Sequence, residues 1–209
     1  EGVTLGFRSG LPQLELKLQV DDAALLGNRD DAETLLNELI GDHILGNDDD
    51  QLAMALQRAL LEKKMSVTTA ESCTGGLIAS LITREAGSSQ VFGSGFVTYS
   101  NTAKNSVLGV PEATLIKHGA VSESIVLAML SGALEKSGAT IGIAVSGIAG
   151  PGGGSDDKPV GTVWMAWGTK ESHRAIRLQI PGSRERFQIL VAAIGLDTMR
   201  RQVLDLPAI

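Results

Sequence analysis

TIGIAVSG, residues 140–147, carries no charge and no strict alternation of apolar with polar residues. Such a run reads as a strand covered on both faces, and a glycine-rich loop follows it. A strand of that kind requires helices above and below the sheet. The neighbouring sequence supplies them. SVTTA (66–70) and GFVTYS (95–100) read as further short strands. Leu52, Leu56, Ala59 and Leu60 share one helical face, with Asp50 placed to cap it. A second helix is expected over 75–86, with Leu77, Ile78, Leu81 and Ile82 turned inward. NTAKNSVLGV starts a third, which stops at Gly109. Ser122 caps a fourth, with Glu123 in its first turn. VGTVWMAWG and HRAIRLQI alternate and form a hairpin across GTKES, and residues 183–204 form the last helix. Alternating strands and helices followed by a late hairpin define an α/β class: a layered α/β domain with a mixed sheet flanked by helices.

The first 46 residues read differently. GVTLGF and LPQLELKLQV are two short strands split by a Gly/Pro turn. Leu14, Leu16, Leu18 and Val20 alternate with polar residues, as in a half-buried strand. Residues 21–40 open with Asp21 and Asp22 and read as helical, and HILGNDDD closes the segment. The expected domains are 1–46 and 47–209. About 45 residues are too few for a comfortable independent core. The first residue is Glu1, so the chain is read as a processed product or a piece of a longer protein.

Composition limits the functions available. The chain of 209 residues is 43% hydrophobic and 20% charged, which suits a folded core; only 3% is aromatic, so that core is aliphatic. A net charge of -6 argues against wrapping a nucleic acid, where basic surface supplies the affinity. A single cysteine forms no internal disulfide and fits a reducing, cytoplasmic compartment. No apolar run reaches the roughly 18 residues needed to span a membrane.

TTAESCTGGLIAS, residues 68–80, puts Ser72, Cys73 and Thr74 in a tight turn between a strand and a helix. A helix start offers unpaired N–H groups that favour negative charge, and Gly75 and Gly76 admit a substrate close to the backbone. Ser72 reads either as a nucleophile or as a helix cap. Cys73 is the rival nucleophile, or a small buried side chain. Side chains alternate, so Ser72 and Cys73 point different ways. A serine needs a base. None of His43, His118 and His173 sits in a diagnostic motif, whereas Lys104, in YSNTAK after a strand, falls at the same end of the sheet. It serves as a base if desolvation strips its charge, or is an ordinary surface lysine. Tyr99 orients or stacks on a substrate, or packs. SGIAGPGGGSDDKPVG (146–161) follows a buried strand, where ligands sit in α/β sheets, but matches neither G-x-x-x-x-G-K-[ST] nor G-x-G-x-x-G. PGSRERF offers Arg184 and Arg186 to an anion, or to solvent. No metal-ligand spacing is present.

AESCTGG (70–76), GSS (87–89), FVTYSNTAK (96–104), LGV (108–110), GAVSE (119–123), SGIAGPGGGS (146–155) and KPVGTVW (158–164) follow one another in this order. Together they resemble the CinA C-terminal family, the bacterial nicotinamide mononucleotide amidases, over roughly residues 48–205. The resemblance implies hydrolysis of a carboxamide to nicotinate mononucleotide and ammonia, in pyridine nucleotide recycling, by a Ser/Lys mechanism without cofactor or metal. It assigns Ser72 as nucleophile, Lys104 as base and Tyr99 as a third catalytic residue. Substrate contacts fall on Glu71, Thr74, Gly75 and Gly76, on Ser146, Gly147 and Gly150, and on Arg184, with N–H groups around Thr74 to Gly76 holding the oxyanion. Many members carry threonine where Ser146 stands. Residues 1–46 resemble the small KH-like αβ segment that precedes this domain in longer CinA proteins, without a basic GXXG loop. The molybdopterin-binding-like domain that comes before it there is missing here. The partners implied are a small-molecule nucleotide and a second copy in a homodimer, with no nucleic acid and no membrane. The alternative is a non-catalytic nucleotide-binding or competence-related interaction module.

Overall fold

The computed structural model describes residues 2–207, which divide into two compact units meeting at Asp48 and Asp49. In the first, β1 (Thr4–Ser9) and β2 (Leu14–Gln19) form an antiparallel ribbon. Register pairs Leu5 with Leu18, Phe7 with Leu16 and Ser9 with Leu14, so one face of the ribbon is apolar. Asp22 caps a single 3-10 turn, Ala23–Leu25, by accepting from the Ala24 N–H, and α1 (Leu26–Ile40) follows. No residue from 2 to 48 is buried, and Phe7 and Leu14 stand 67% and 60% exposed.

The second unit is a five-stranded sheet between two helical layers. Its strands are β3 (Val67–Glu71), β4 (Phe92–Val97), β5 (Ile141–Gly147), β6 (Thr162–Gly168) and β7 (His173–Gln179), in the order β4-β3-β5-β6-β7. The first three run parallel; β6 and β7 are antiparallel additions, so the sheet is mixed. Before β3 comes α2 (Leu52–Glu62). The other helices are α3 (Leu77–Thr83), α4 (Asn101–Leu108), α5 (Glu112–His118), α6 (Glu123–Ser137) and α7 (Arg184–Val203).

Small side chains decide how closely the helices approach. Ala70, Ala144, Ala166 and Ala175 lie in one register row across four strands. Ile125, Val126, Met129, Leu130, Ala133 and Leu134 of α6 pack on that row. Each fully buried Ile, Val, Met or Leu side chain there contributes about 1.5–3 kcal/mol relative to exposure. On the opposite face Gly195 of α7 comes so near that a Cβ would sit 2.8 Å from Ile143 Cδ1. Strand alternation therefore sends 142, 144 and 146 toward α6, and 143 and 145 toward α7.

The structure moves some expected boundaries. The helix expected over 75–86 is limited to Leu77–Thr83, because Gly75 and Gly76 take φ of 66° and 99° in the turn before it. The strand GFVTYS lies earlier, at Phe92–Val97, since Ser100 turns back to cap α4 by accepting from the Ala103 N–H. Gln51, one residue past Asp50, holds the N-cap position of α2, and Asp50 pairs with Arg58. Ser122 holds the N-cap position of α6, but its hydroxyl donates to the Gly119 carbonyl instead of capping. Helix α5 has no counterpart in the sequence expectation. It is seven residues long with one buried side chain, Leu115, too little for a periodic signal.

Candidate active site

Strand β3 hands the chain to α3 in the layer of α7, while β4 hands it to α4 in the layer of α6. Adjacent parallel strands thus send their continuations to opposite faces, which opens a crevice at their carboxyl ends. Ser72 follows β3 there, Thr98 and Tyr99 follow β4, and the glycine-rich loop follows β5. Alternation at the end of β3 turns Glu71 toward the α3 layer and Ser72 toward α4.

The Lys104 Nζ, on the first turn of α4, donates to Ser72 Oγ at 2.9 Å. It donates also to the carbonyls of Thr98 at 2.8 Å and Tyr99 at 3.4 Å. Lys104 is 1% exposed, and no carboxylate lies within ion-pair distance of it among the described residues. Burial lowers its pKa from the ordinary 10.5, with a smaller opposing pull from the Cys73 sulfur. The surface-lysine alternative is therefore set aside. On losing a proton the amine keeps two N–H bonds for the two carbonyls. Its lone pair then faces the Ser72 hydroxyl, which becomes the donor.

Cys73 points away into the core at 3% exposure, and burial pushes its thiol up from 9.0 to about 12. It is a thiol, not a thiolate, at neutral pH. Its carbonyl accepts from Gln188 Nε2 at 2.8 Å. Nothing in the sequence singled out Gln188; its position one turn after Arg184 on α7 is the only hint.

Tyr99 and Arg184 meet at the mouth of the crevice. Arg184 Nη2 donates to Tyr99 Oη at 2.7 Å, and Nη1 to the Gly150 carbonyl at 3.1 Å. No carboxylate pairs with Arg184 among the described residues. Two basic side chains without an ion-paired carboxylate thus border one site in a chain of net charge -6. The backbone N–H of Arg186 donates to the Ser183 hydroxyl that caps α7.

Several expected substrate contacts are engaged by other groups of the protein. Glu71 is 0% exposed and its carboxylate is filled by donors from its own turn: Thr74 Oγ1, Gly76 N–H, Ile78 N–H and Ala79 N–H. Thr74, 4% exposed, has its hydroxyl committed to Glu71. Ser146 is 1% exposed, and its hydroxyl donates to the Ala120 carbonyl, tying β5 to the loop before α6. Gly147 is a packing position, where a Cβ would meet the Thr162 carbonyl at 2.8 Å and Phe187 at 3.0 Å. The N–H of Gly75 donates to the Ser72 carbonyl and that of Gly76 to Glu71, so neither is free for an oxyanion. The N–H groups of Cys73 and Thr74 have no acceptor besides the nearby Cys73 sulfur among the described residues. Gly75 itself borders open space. Of the histidines, His173 begins β7 at the far edge of the sheet, in register with Gly168, and the Lys158 amine holds the carbonyl of His118. Among the described residues no three His, Cys, Asp or Glu side chains form a metal-binding group, and no helix is long and apolar enough to cross a membrane.

The fold and site define an α/β domain in which a serine hydroxyl meets a buried, unpaired lysine at the carboxyl ends of parallel strands. Residues 49–203 match the family described as the CinA C-terminal domain, and the chain belongs to that family. A CinA-like protein of Colwellia psychrerythraea is 46% identical over 210 residues, covering 99% of this chain and 49% of its own length. One from Shewanella piezotolerans is 42% identical over 206 residues, 98% of this chain and 49% of its own. The chain thus spans about half the length of the curated relatives it matches. The crystal structure of competence damage-inducible protein A from Klebsiella pneumoniae is 40% identical, with a TM-score of 0.71. The match covers 73% of this chain and 95% of that one. A competence/damage inducible protein from Agrobacterium tumefaciens is 41% identical with a TM-score of 0.69, over 74% and 94%.

Proposed function

We propose that the domain is an amidohydrolase that deamidates nicotinamide mononucleotide to nicotinate mononucleotide and ammonia, through an acyl-enzyme on Ser72. The observation that carries this reading is the 2.9 Å contact between Lys104 Nζ and Ser72 Oγ in a buried setting without a carboxylate. A neutral Lys104 takes the Ser72 proton as Oγ attacks the carboxamide carbon. The oxyanion forms beside the N–H groups of Cys73 and Thr74. Lys104 returns the proton to the leaving nitrogen, and ammonia departs. Water then adds to the ester with Lys104 again as base, releasing the carboxylic acid and restoring Ser72. Tyr99 and Arg184 bind the substrate phosphate, Arg184 as the charge and Tyr99 as the side chain that orients it. Gly75 and Gly150 border the substrate. The setting is cytoplasmic, and the working form is a homodimer.

The test is ammonia release from nicotinamide mononucleotide by the purified chain, with nicotinamide riboside and nicotinamide as comparison substrates. Ser72→Ala is expected to lower the rate by at least about 10³-fold. An unchanged rate removes the mechanism. Arg184→Ala is expected to raise KM for the phosphorylated substrate and to leave the riboside almost unaffected.

A further inference from the structure

Helix α3 starts without a cap of its own. Gly76 holds the N-cap position with no side chain, so the first N–H groups have no local partner. They are taken from behind. Glu71, the last residue of β3 and the neighbour of Ser72, reaches past the turn. Its Oε2 accepts from Thr74 Oγ1 at 2.7 Å, Gly76 N–H at 3.1 Å and Ile78 N–H at 3.0 Å; its Oε1 accepts from Ala79 N–H at 2.8 Å. The carboxylate has no exposed surface, and no cation lies within ion-pair distance among the described residues. Its charge is balanced by four donors and by the positive end of the helix. One side chain thereby fixes both ends of the five-residue turn 72–76 to each other.

We infer that Glu71 is a positioning residue, whose carboxylate clamps the 72–76 turn onto the start of α3 and so sets the aim of Ser72 Oγ at Lys104 Nζ. The inference rests on the reading of Ser72 as a nucleophile. The direction of alternation gives it force: Glu71 pulls into the α3 layer while Ser72 projects into the α4 layer, so any slack in the first is transmitted to the second. The clamp also occupies the helix start that an anionic substrate would otherwise approach. Incoming negative charge is left to Arg184.

Glu71→Gln keeps the volume but replaces one acceptor oxygen by an NH2 that faces N–H donors. Thr74→Val removes a single donor and keeps the charge. Three quantities are measured on the full chain, well below the wild-type unfolding midpoint: kcat and KM for ammonia release, the rate of covalent labelling by a fluorophosphonate, and the midpoint itself. In Glu71→Gln, kcat and the labelling rate are expected to fall together by about 10–100-fold with KM nearly constant, the cost of a misplacement near 1 Å. Thr74→Val is expected to move both in the same direction by a smaller factor. A lowered midpoint with wild-type kcat and labelling makes Glu71 merely structural and overturns the inference. A raised KM at constant kcat makes it a substrate contact and overturns it equally. If Glu71→Gln does not fold, Thr74→Val decides by the same criteria. Labelling that persists in Ser72→Ala overturns the nucleophile reading instead, and is told apart because it does not involve Glu71.

Discussion

A buried lysine without a counter-ion is costly, and Lys104 carries that cost in a measurable form. Its folded pKa lies below 10.5. Between the lowered value and 10.5 the unfolded chain binds more protons than the folded one, so folding stability rises with pH across that window. Below the window both states are protonated and the full penalty stands. Lys104→Met removes the titration. The stability of the variant relative to wild type is therefore expected to be greatest at low pH and to shrink as pH rises, which thermal unfolding at pH 6 and pH 9 compares. Activity follows the same group with the same sign. A base must be neutral, so kcat/KM rises with pH along a limb that levels off below 10.5, and Lys104→Met is inactive throughout. Cys73 predicts the opposite. With its thiol at about 12 and 3% exposed, Cys73→Ala is expected to keep its kcat and to lose about 1 kcal/mol of stability in denaturant unfolding. Ser72 and Lys104 were legible in the sequence as candidates because each follows a strand at the same sheet edge. The burial of Lys104 was not, since it and Ser72 lie 32 positions apart in the chain and meet only in the fold. Nor was the inward turn of Glu71, because the donors to its carboxylate come together only once the turn and the helix after it are in place.

At the scale of elements, the site is an agreement among helices on both faces of the sheet. On one side, α7 presents Arg184 and Gln188 one turn apart, and they hold the Gly150 and Cys73 carbonyls respectively. On the other, α4 carries Lys104 and is set by α6. Gly132 of α6 lies directly against the Leu108 carbonyl that ends α4, and a Cβ there would overlap it. The obstacle is backbone, not a flexible side chain, so α4 has to move. Gly132→Ala is expected to cost about 1–3 kcal/mol by overpacking. It also lowers kcat, because the shift displaces Lys104. Comparing the unfolding midpoint with kcat tests both, and a destabilised variant with unchanged kcat shows that α4 absorbs the strain without moving its amine. The element order apart from α5 was readable from local patterns, since TIGIAVSG, the late hairpin and the Gly109 stop each follow a local rule. The close approach at Gly132 was not, because a glycine inside a helix pattern announces only weakness until its neighbour is known.

For the whole molecule, the division at Asp48 and Asp49 separates two different kinds of unit. Residues 49–209 contain every side chain named in the site, and an aliphatic core on both faces of a five-stranded sheet. Residues 2–48 contain an apolar ribbon face and a helix but no buried side chain. A stretch of that length buries too little apolar surface to offset its conformational entropy, which is of order 1–2 kcal/mol per residue. The sequence already hinted at this in its length; it could not show that Leu14 of β2 stays exposed while Leu16 and Leu18 are only partly covered, because alternation reports which residues share a face and not what lies over it. A peptide of residues 1–48 is therefore expected to lack a cooperative thermal transition by circular dichroism. Residues 49–209 alone are expected to unfold cooperatively and to release ammonia with the kcat of the whole chain. A cooperative transition in the peptide would mean that exposed ribbon and helix suffice for folding. Loss of turnover in 49–209, with its fold intact, would mean that the first unit acts on a site to which it contributes none of the named residues.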